Sequence, residues 1–406
     1  MSFTSLGTEG WRSGRLDSFC SVVDCKHVTA PFRAEGYPVV SIGEVGERLV
    51  NLRHAPRTTT EFYELLIQGA RKPLPGDLIM TRNATVGRVS RVAESHPPFA
   101  MGQDVCLLRP NAMVALPEFI QLALRSPDVV RQFEAAMAGS TFKRLNVAQI
   151  KQVRIVLPPI DEQVRIAGAL SASGDLISGL KRLIAKKQAI KQGMMQQILT
   201  GNTRLTREAS EWTGKPLSEL CDIRSGTPRK KDRDGANWIV DMGSVTRDAK
   251  LIVTKRTNDN SGRLAPGELV MPKDDIGGGL IIGRTGLIPD KGTYVLADHV
   301  YALTPKCVNP AFLNLAINSN RVNMELRSKV TGSAQLGLSR RSVLEQRIML
   351  PDSLEEQASI VALFADVNSE IEAIERRLRL TRSMKQGMMQ ELLTGRTRLQ
   401  TRGVAA

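Results

Sequence analysis

Lys191-Gln192-Gly193-Met194-Met195-Gln196-Gln197-Ile198-Leu199-Thr200-Gly201-Asn202-Thr203-Arg204-Leu205 returns 194 residues later as KQGMMQELLTGRTRL, Lys385 to Leu399, with twelve of fifteen positions identical. One unit is written twice, which predicts two similar domains related by an approximate two-fold axis. The match runs without a gap from Glu162-Gln163 to Leu205 against Glu356-Gln357 to Leu399, with seventeen of forty-four positions identical. Upstream it thins to landmarks. Arg154-Ile155-Val156-Leu157-Pro158 answers Arg347-Ile348-Met349-Leu350-Pro351, and the segments starting at Pro117 and Pro75 answer those starting at Pro310 and Pro266. Trp11, Leu16 and Cys20 answer Trp212, Leu217 and Cys221. Between landmarks the halves share little, so a common scaffold carries two different surfaces.

In residues 162–199 and 356–393 apolar residues fall at 4-3 spacing, Ile166, Leu170, Ile177, Leu180 and Ile184 in the first and Ile360, Phe364, Val367, Ile371, Ile374 and Leu378 in the second. Both stretches read as long helices. Ser353-Leu354-Glu355-Glu356 has capping-box spacing, and Pro158-Pro159 before Asp161-Glu162 suits a first turn. Thr200-Gly201 and Thr394-Gly395 supply the stop. Each helix is expected to hold about 38 residues and to run about 57 Å. About eleven residues, Asn202 to Trp212, then lead to the second globular region, a reach of at most about 35 to 40 Å. Parallel helices would need a longer return, so antiparallel pairing is expected, with one globular region at each end of the pair.

The expected fold class is α+β: two globular domains at opposite ends of an antiparallel pair of long helices, built as a pseudo-two-fold repeat. The boundaries read as 1–160, helix 161–201, 202–352, helix 353–395 and tail 396–406. Leu78-Ile79-Met80 and Val105-Cys106-Leu107-Leu108 look like strands. Ser126-Pro127-Asp128 opens a short helix with Val129, Val130, Phe133 and Met137 at helical spacing, closed by Gly139.

Fifty-six Lys and Arg against 41 Asp and Glu give a net charge of +15, a balance that favours a polyanionic partner. Five scattered cysteines, Cys20, Cys25, Cys106, Cys221 and Cys307, suit a reducing compartment. No run of about 18 apolar residues occurs, so a cytoplasmic protein without a membrane partner is expected. Loops rich in Arg, Lys, Thr and Asn carry donors that meet phosphate oxygens and base edges. The candidate contacts are Arg53, Arg57, Thr58, Arg82, Asn83, Arg224, Thr227, Arg229, Lys230, Lys255, Arg256 and Lys273.

This order of parts resembles the DNA-specificity subunit of type I restriction-modification systems over nearly the whole chain. Its most specific marks are Leu157-Pro158-Pro159-Ile160-Asp161-Glu162-Gln163, Leu350-Pro351-Asp352-Ser353-Leu354-Glu355-Glu356-Gln357 and the paired Leu-Thr-Gly helix ends. The resemblance implies a bipartite, asymmetric DNA target, each recognition domain reading one half with the helices as a ruler. It implies separate subunits that methylate adenine or translocate and cleave DNA, two methylation subunits among them. No cofactor is expected on this chain; S-adenosylmethionine, ATP and Mg are expected on the partners. The resemblance also points to the loop after the short helix, here Ser140, Thr141, Lys143 and Arg144, with Ser333 and Gln335 in the second copy, which lacks the basic pair.

Gly193 and Gly387 sit inside the repeated helices, where glycine costs about 1 kcal/mol relative to alanine. With Met194, Met195, Met388 and Met389 they mark either close packing of the two helices or a docking surface for the methylation subunits.

Enzyme motifs are missing or wrong. His96-Pro97-Pro98-Phe99 has histidine where an adenine methyltransferase needs Asn or Asp, and Gly277-Gly278-Gly279 with Gly283 misses dinucleotide spacing and reads as a turn. Gly214-Lys215 lacks the glycine of a phosphate loop. Cys20, Cys25 and His27 lack a paired cysteine knuckle, and no Pro-Asp is followed by a nuclease element. The expected function is non-catalytic DNA recognition and scaffolding; the alternative is a coiled-coil adaptor that binds nucleic acid without sequence choice.

Overall fold

Strand Arg12–Arg15 lies antiparallel to Arg154–Leu157, and Trp212–Pro216 lies antiparallel to Arg347–Pro351. Each pair stitches the chain entering a recognition region to the strand that leads out of it into a long helix. The computed structural model in which these pairs are seen describes residues 10–138, 144–204, 212–275, 278–332 and 336–399. The chain divides into two compact units, 1–181 with 377–406, and 182–376. Each unit therefore contains one recognition region, the first half of its own long helix and the second half of the other helix.

The first unit holds an antiparallel sheet in the order Cys20–Asp24, Val105–Pro110, Leu78–Thr81, Val89–Arg91. Beside it lies a smaller sheet, Arg57–Thr58, Tyr37–Val40, Ala100–Met101, whose last pair is parallel. The second unit repeats both, with a fourth strand added to the second sheet. Cys221–Ser225, Val300–Pro305, Leu269–Pro272 and Gly286–Leu287 form the first sheet. Lys255–Thr257, Asn237–Val240, Tyr294–Leu296 and Arg263–Leu264 form the second, again with a parallel central pair. Strands and helices alternate irregularly in both units, which is the α+β class expected.

Short helices close one side of each first sheet. Pro127–Met137 is capped by Ser126, whose hydroxyl accepts from Val129 N–H, and buries Val129 and Phe133. Val130, counted among its apolar positions, is exposed because it falls off that face. Asn320–Ser328 is the counterpart, capped by Ser319 and burying Val322 and Leu326.

The long helices run Ile160–Ile198 and Leu354–Leu392, 39 residues each, or about 58 Å at 1.5 Å per residue. Gly201 and Gly395 follow them with φ of 76° and 72°, a left-handed backbone that favours glycine at a helix end. Within the first unit Ile166 and Leu170 share a core with Leu392 and Leu393, while Ser173 Oγ lies 3.9 Å from Met388 Sδ. Advancing along one helix thus means retreating along the other. The second unit shows the same antiparallel sense: Ile198 and Leu199 share a core with Ile360 and Phe364, and Lys187 Nζ meets Glu370 at 2.5 Å.

The Glu-Gln pair at each helix start does specific work. Gln163 Oε1 accepts from Leu116 N–H at 2.8 Å, and its amide donates to Val114 and Pro158 carbonyls. Gln357 Oε1 accepts from Asn309 N–H at 2.8 Å, and its amide donates to the Pro351 carbonyl. Leu116 and Asn309 are the N-cap residues of the matching helices Pro117–Ala123 and Pro310–Ile317. Both glutamines are buried, so each locks its long helix to its recognition region through satisfied polar groups.

Candidate nucleic-acid interface

The excess positive charge is not spread over free side chains, because many cations are already paired. Arg82 reads as a DNA contact in the sequence, yet its side chain is 3% exposed, with Nη2 at 2.8 Å from Asp24 and its guanidinium against Cys25 Sγ. Arg229 is corrected in the same way: its side chain is 6% exposed and donates to Asp259, Ser261 and the Leu296 carbonyl. The N–H and hydroxyl of Ser261, followed by Arg229, hold the Asp259 carboxyl down to about 2. Thr58 is also withdrawn from the interface, since it is fully buried and donates to the Pro31 carbonyl. These three are scaffold residues whose loop-like sequence hid their burial.

The remaining candidates fall into groups. Asn83 and Arg144 bridge through their backbones, and Arg82 N–H donates to the Asp104 carbonyl, which brings Asp104 beside exposed Arg144 at 3.9 Å. In the second unit Lys273 N–H donates to the His299 carbonyl and Lys273 Nζ stands 6.0 Å from the Tyr301 ring. Asp104 and His299 occupy equivalent corners with φ of 63° and 62°. His299 lies between Asp274, at 2.6 Å, and Asp298, at 3.6 Å. Asp298 is its chain neighbour, but Asp274 meets it only through the Lys273–His299 backbone pairing, so the sequence gives no sign of the group.

Arg224 donates to Glu268 at 2.7 Å and to the Arg263 carbonyl, Lys255 pairs with Asp241, and Arg256 lies over the Trp238 ring at 4.0 Å. Arg57 donates to the Gly36 carbonyl at 2.8 Å. Arg53, Thr227 and Lys230 are exposed. Ser140, Thr141, Lys143, Ser333 and Gln335 lie outside the described residues.

Asp24, Cys25 and His27 bring one possible metal-ligand atom each within 4.8 Å of one another. The Arg82 guanidinium against the Asp24 carboxylate puts a fixed cation where a metal would need that oxygen, and the set does not fit a metal centre. Cys20 is not part of the group. Gly278 and Gly279 have positive φ, consistent with a turn.

The helix candidates divide between core and surface. A Cβ on Gly193 or Gly387 would meet nothing within 4 Å, so neither glycine is there for close approach of the two helices. Met194 and Met195 pack against the second unit's core, and Met388 and Met389 against the first's. The outward faces hold other residues: Leu183 and Ile190 beside Gly193, and Leu380 and Met384 beside Gly387, all four large side chains exposed. No helix among the described residues is long and apolar enough to cross a membrane.

A duplicated α+β unit, locked at its Glu-Gln pair to the head of a long helix, defines a class of two-domain recognition proteins. The chain matches the type I restriction modification DNA specificity domain twice, over residues 8–192 and 209–382, and belongs to that family. It is 23% identical to the EcoKI specificity subunit of Escherichia coli K12 over 380 residues, 85% of this chain and 80% of that protein. It is 27% identical over 172 residues to the putative MjaX specificity subunit of Methanocaldococcus jannaschii. That match takes in 41% of this chain and 39% of the relative. The HsdS subunit of Thermoanaerobacter tengcongensis has the same fold, with a TM-score of 0.54 at 18% identity over 97% of this chain and 99% of that one. A chain from a structure addressing complex assembly and conformational transition of the type I R-M system scores 0.64 at 18% identity, over 96% and 99%. The chain is thus of the specificity-subunit class, the recognition component and not a catalytic one.

Proposed function

We propose that this chain reads a bipartite, asymmetric DNA target, one half-site per recognition domain, and scaffolds two methylation subunits and ATP-dependent restriction subunits in the cytoplasm. The observation that carries the reading is the repeat itself: two recognition regions share sheets, caps and the Glu-Gln lock but differ in their loops. Different loops on a common frame suit two different half-sequences. The net charge of +15 supplies the attraction to phosphate. S-adenosylmethionine, ATP and Mg belong on the partners in this reading.

The docking surface for the methylation subunits is the outward face of each helix, Leu183, Ile190 and Gly193 on one and Leu380, Met384 and Gly387 on the other. Exposed apolar side chains at 7- and 4-residue spacing, followed by a glycine three residues on, suit a partner helix that approaches closely.

Selection of bound duplexes from a random pool, followed by footprinting, tests the function. The expected result is two short conserved blocks separated by unselected bases, with centres about one helical turn apart, near 34 Å. A single contiguous site would overturn the bipartite reading. Equal affinity for selected and random duplexes would favour the adaptor without sequence choice.

A further inference from the structure

Arg57 and Arg256 occupy the same place in two recognition regions that otherwise share few surface residues. Each lies on an edge strand of its unit's second sheet, Arg57 opposite Pro38 and Arg256 opposite Trp238. Each is followed by a buried threonine, Thr58 or Thr257. Each donates through Nη1 to a glycine carbonyl, Arg57 to Gly36 at 2.8 Å and Arg256 to Gly235 at 3.2 Å. Those glycines press on the threonine backbone: a Cβ on Gly36 would stand 2.1 Å from Thr58 O, and one on Gly235 would stand 2.5 Å from the Thr257 backbone. The contact that pins the guanidinium is therefore built from three residue types in both copies.

Several of the other candidate cations are already neutralised. Arg82, Arg224, Arg229 and Lys255 each face a carboxylate. Among the described residues no ion pair involves Arg57 or Arg256, and both are partly exposed. A guanidinium has five N–H donors in a planar fork, and one bond to a carbonyl, joined for Arg256 by the Trp238 ring at 4.0 Å, fixes its direction while leaving the outer edge of the fork and the charge. Fixing the side chain in advance lowers the entropy lost when an anion is gripped. Residues that read bases should differ between domains with different half-sites, whereas a group that grips phosphate serves any sequence.

We infer that Arg57 and Arg256 are paired backbone anchors, one guanidinium per recognition domain holding a phosphodiester oxygen of its half-site without regard to base. The inference rests on the proposed DNA-reading function and divides its labour: shared arginines position, unshared loops specify.

The test measures binding of the full chain, in the complex in which it is purified, to a selected duplex and to a scrambled one across a salt series. Arg57→Ala and Arg256→Ala should each weaken both duplexes by a similar factor, about 3- to 10-fold, and lower the magnitude of the log–log salt slope by about 0.9, with the double variant losing about twice that. Re-selected sequences should match those of the parent chain. Arg57→Gln and Arg256→Gln keep a donor for the glycine carbonyl while removing charge, so they should give the same slope change even if the alanine variants unfold. A changed base preference in one half-site would make the arginine a base reader, and an unchanged slope would make it only a loop tether; either result overturns the inference. If the parent chain itself fails to prefer the selected duplex, the proposed function fails as well, whereas a specific parent with unaffected variants defeats the anchors alone.

Discussion

Arg398 reaches Glu162 across 236 positions of sequence, donating Nε to Oε1 at 3.1 Å and Nη2 to Oε2 at 2.7 Å. Glu162 is almost fully buried at the head of the first long helix, where it also accepts the indole N–H of Trp11 at 3.2 Å. A residue near the end of the second copy of the repeat thus closes the first unit. Trp212 and Glu356 repeat the indole contact in the second unit at 3.3 Å, and Arg204 holds the repeat position of Arg398.

Replacing Arg398 by alanine removes a two-pronged partner from a buried carboxylate, which is worse than losing an ordinary surface pair. Because Arg398 is itself partly exposed, the expected loss is about 1 to 3 kcal/mol, read as an earlier urea transition of the first unit. Glu162→Gln combined with Arg398→Ala should recover part of it, since no charge is then left unpaired. Equal losses in the single and double variants would show that the pairing is not the stabilising element.

Gly193→Ala and Gly387→Ala place a methyl in open space within a helix. Each should stabilise the isolated chain by about 1 kcal/mol, measured by denaturant unfolding. If a partner helix packs there, the same variants should weaken assembly with methylation subunits. Stabilisation with unimpaired assembly would remove the glycines from the docking surface.

Lys385 feels the charges of Arg125, Arg48, Glu47 and Asp175, and burial, followed by repulsion from Arg125, lowers its pKa below the usual lysine value of 10.5. With the folded pKa below the unfolded one, the folded chain sheds this proton first, and stability rises with pH between the two values. Lys385→Met should therefore raise the melting temperature most at neutral pH, and the gain should shrink as pH approaches 10.5. A gain independent of pH across that window would assign the effect to packing instead.

Burial pushes the thiols of Cys20, Cys106 and Cys221 up to about 12, and Cys25 is buried as well, whereas Cys307 is exposed. One fast-reacting thiol per native chain is expected with an aromatic disulfide reagent, and Cys307→Ser should abolish that phase. Five thiols should react after unfolding. A second fast thiol in the native chain would contradict the burial described.

The helices, their ends and the antiparallel pairing were legible in the sequence because they depend on local periodicity, caps and the length of the Asn202 to Trp212 connection. The duplication was legible for the same reason. Which loop cations are free was not. Arg82 and Arg229 read as donors for DNA, but the carboxylates that capture them, Asp24 and Asp259, lie 58 and 30 positions away and meet them only through sheet pairing. Thr58 looked like loop and proved to be the inner residue of a two-residue strand. Conversely, the equivalence of Arg57 and Arg256 needed strand register, because gaps of different length separate them from the aligned landmarks.

A fragment ending at Leu205 retains the first recognition region and the first helix but loses Met388, Met389, Leu392 and Leu393, which complete the first unit's core. The repeat supplies substitutes. Met194, Met195, Ile198 and Leu199 of a second copy stand at the same positions, so two fragments should pair through an isologous antiparallel contact. One exchange is unfavourable: Glu370, which pairs with Lys187, has Leu176 as its repeat equivalent, so each Lys187 would lose its carboxylate. Ser173 would meet Met194 in place of Met388, a neutral change. The expected outcome is a homodimer of moderate affinity by sedimentation, tightened by Lys187→Met, which, together with the methylation subunits, selects a palindrome of the first half-site. A fragment that stays monomeric at all concentrations, or a Lys187→Met variant that dimerises less well, would refute the exchange of helix ends on which the pseudo-symmetry is argued.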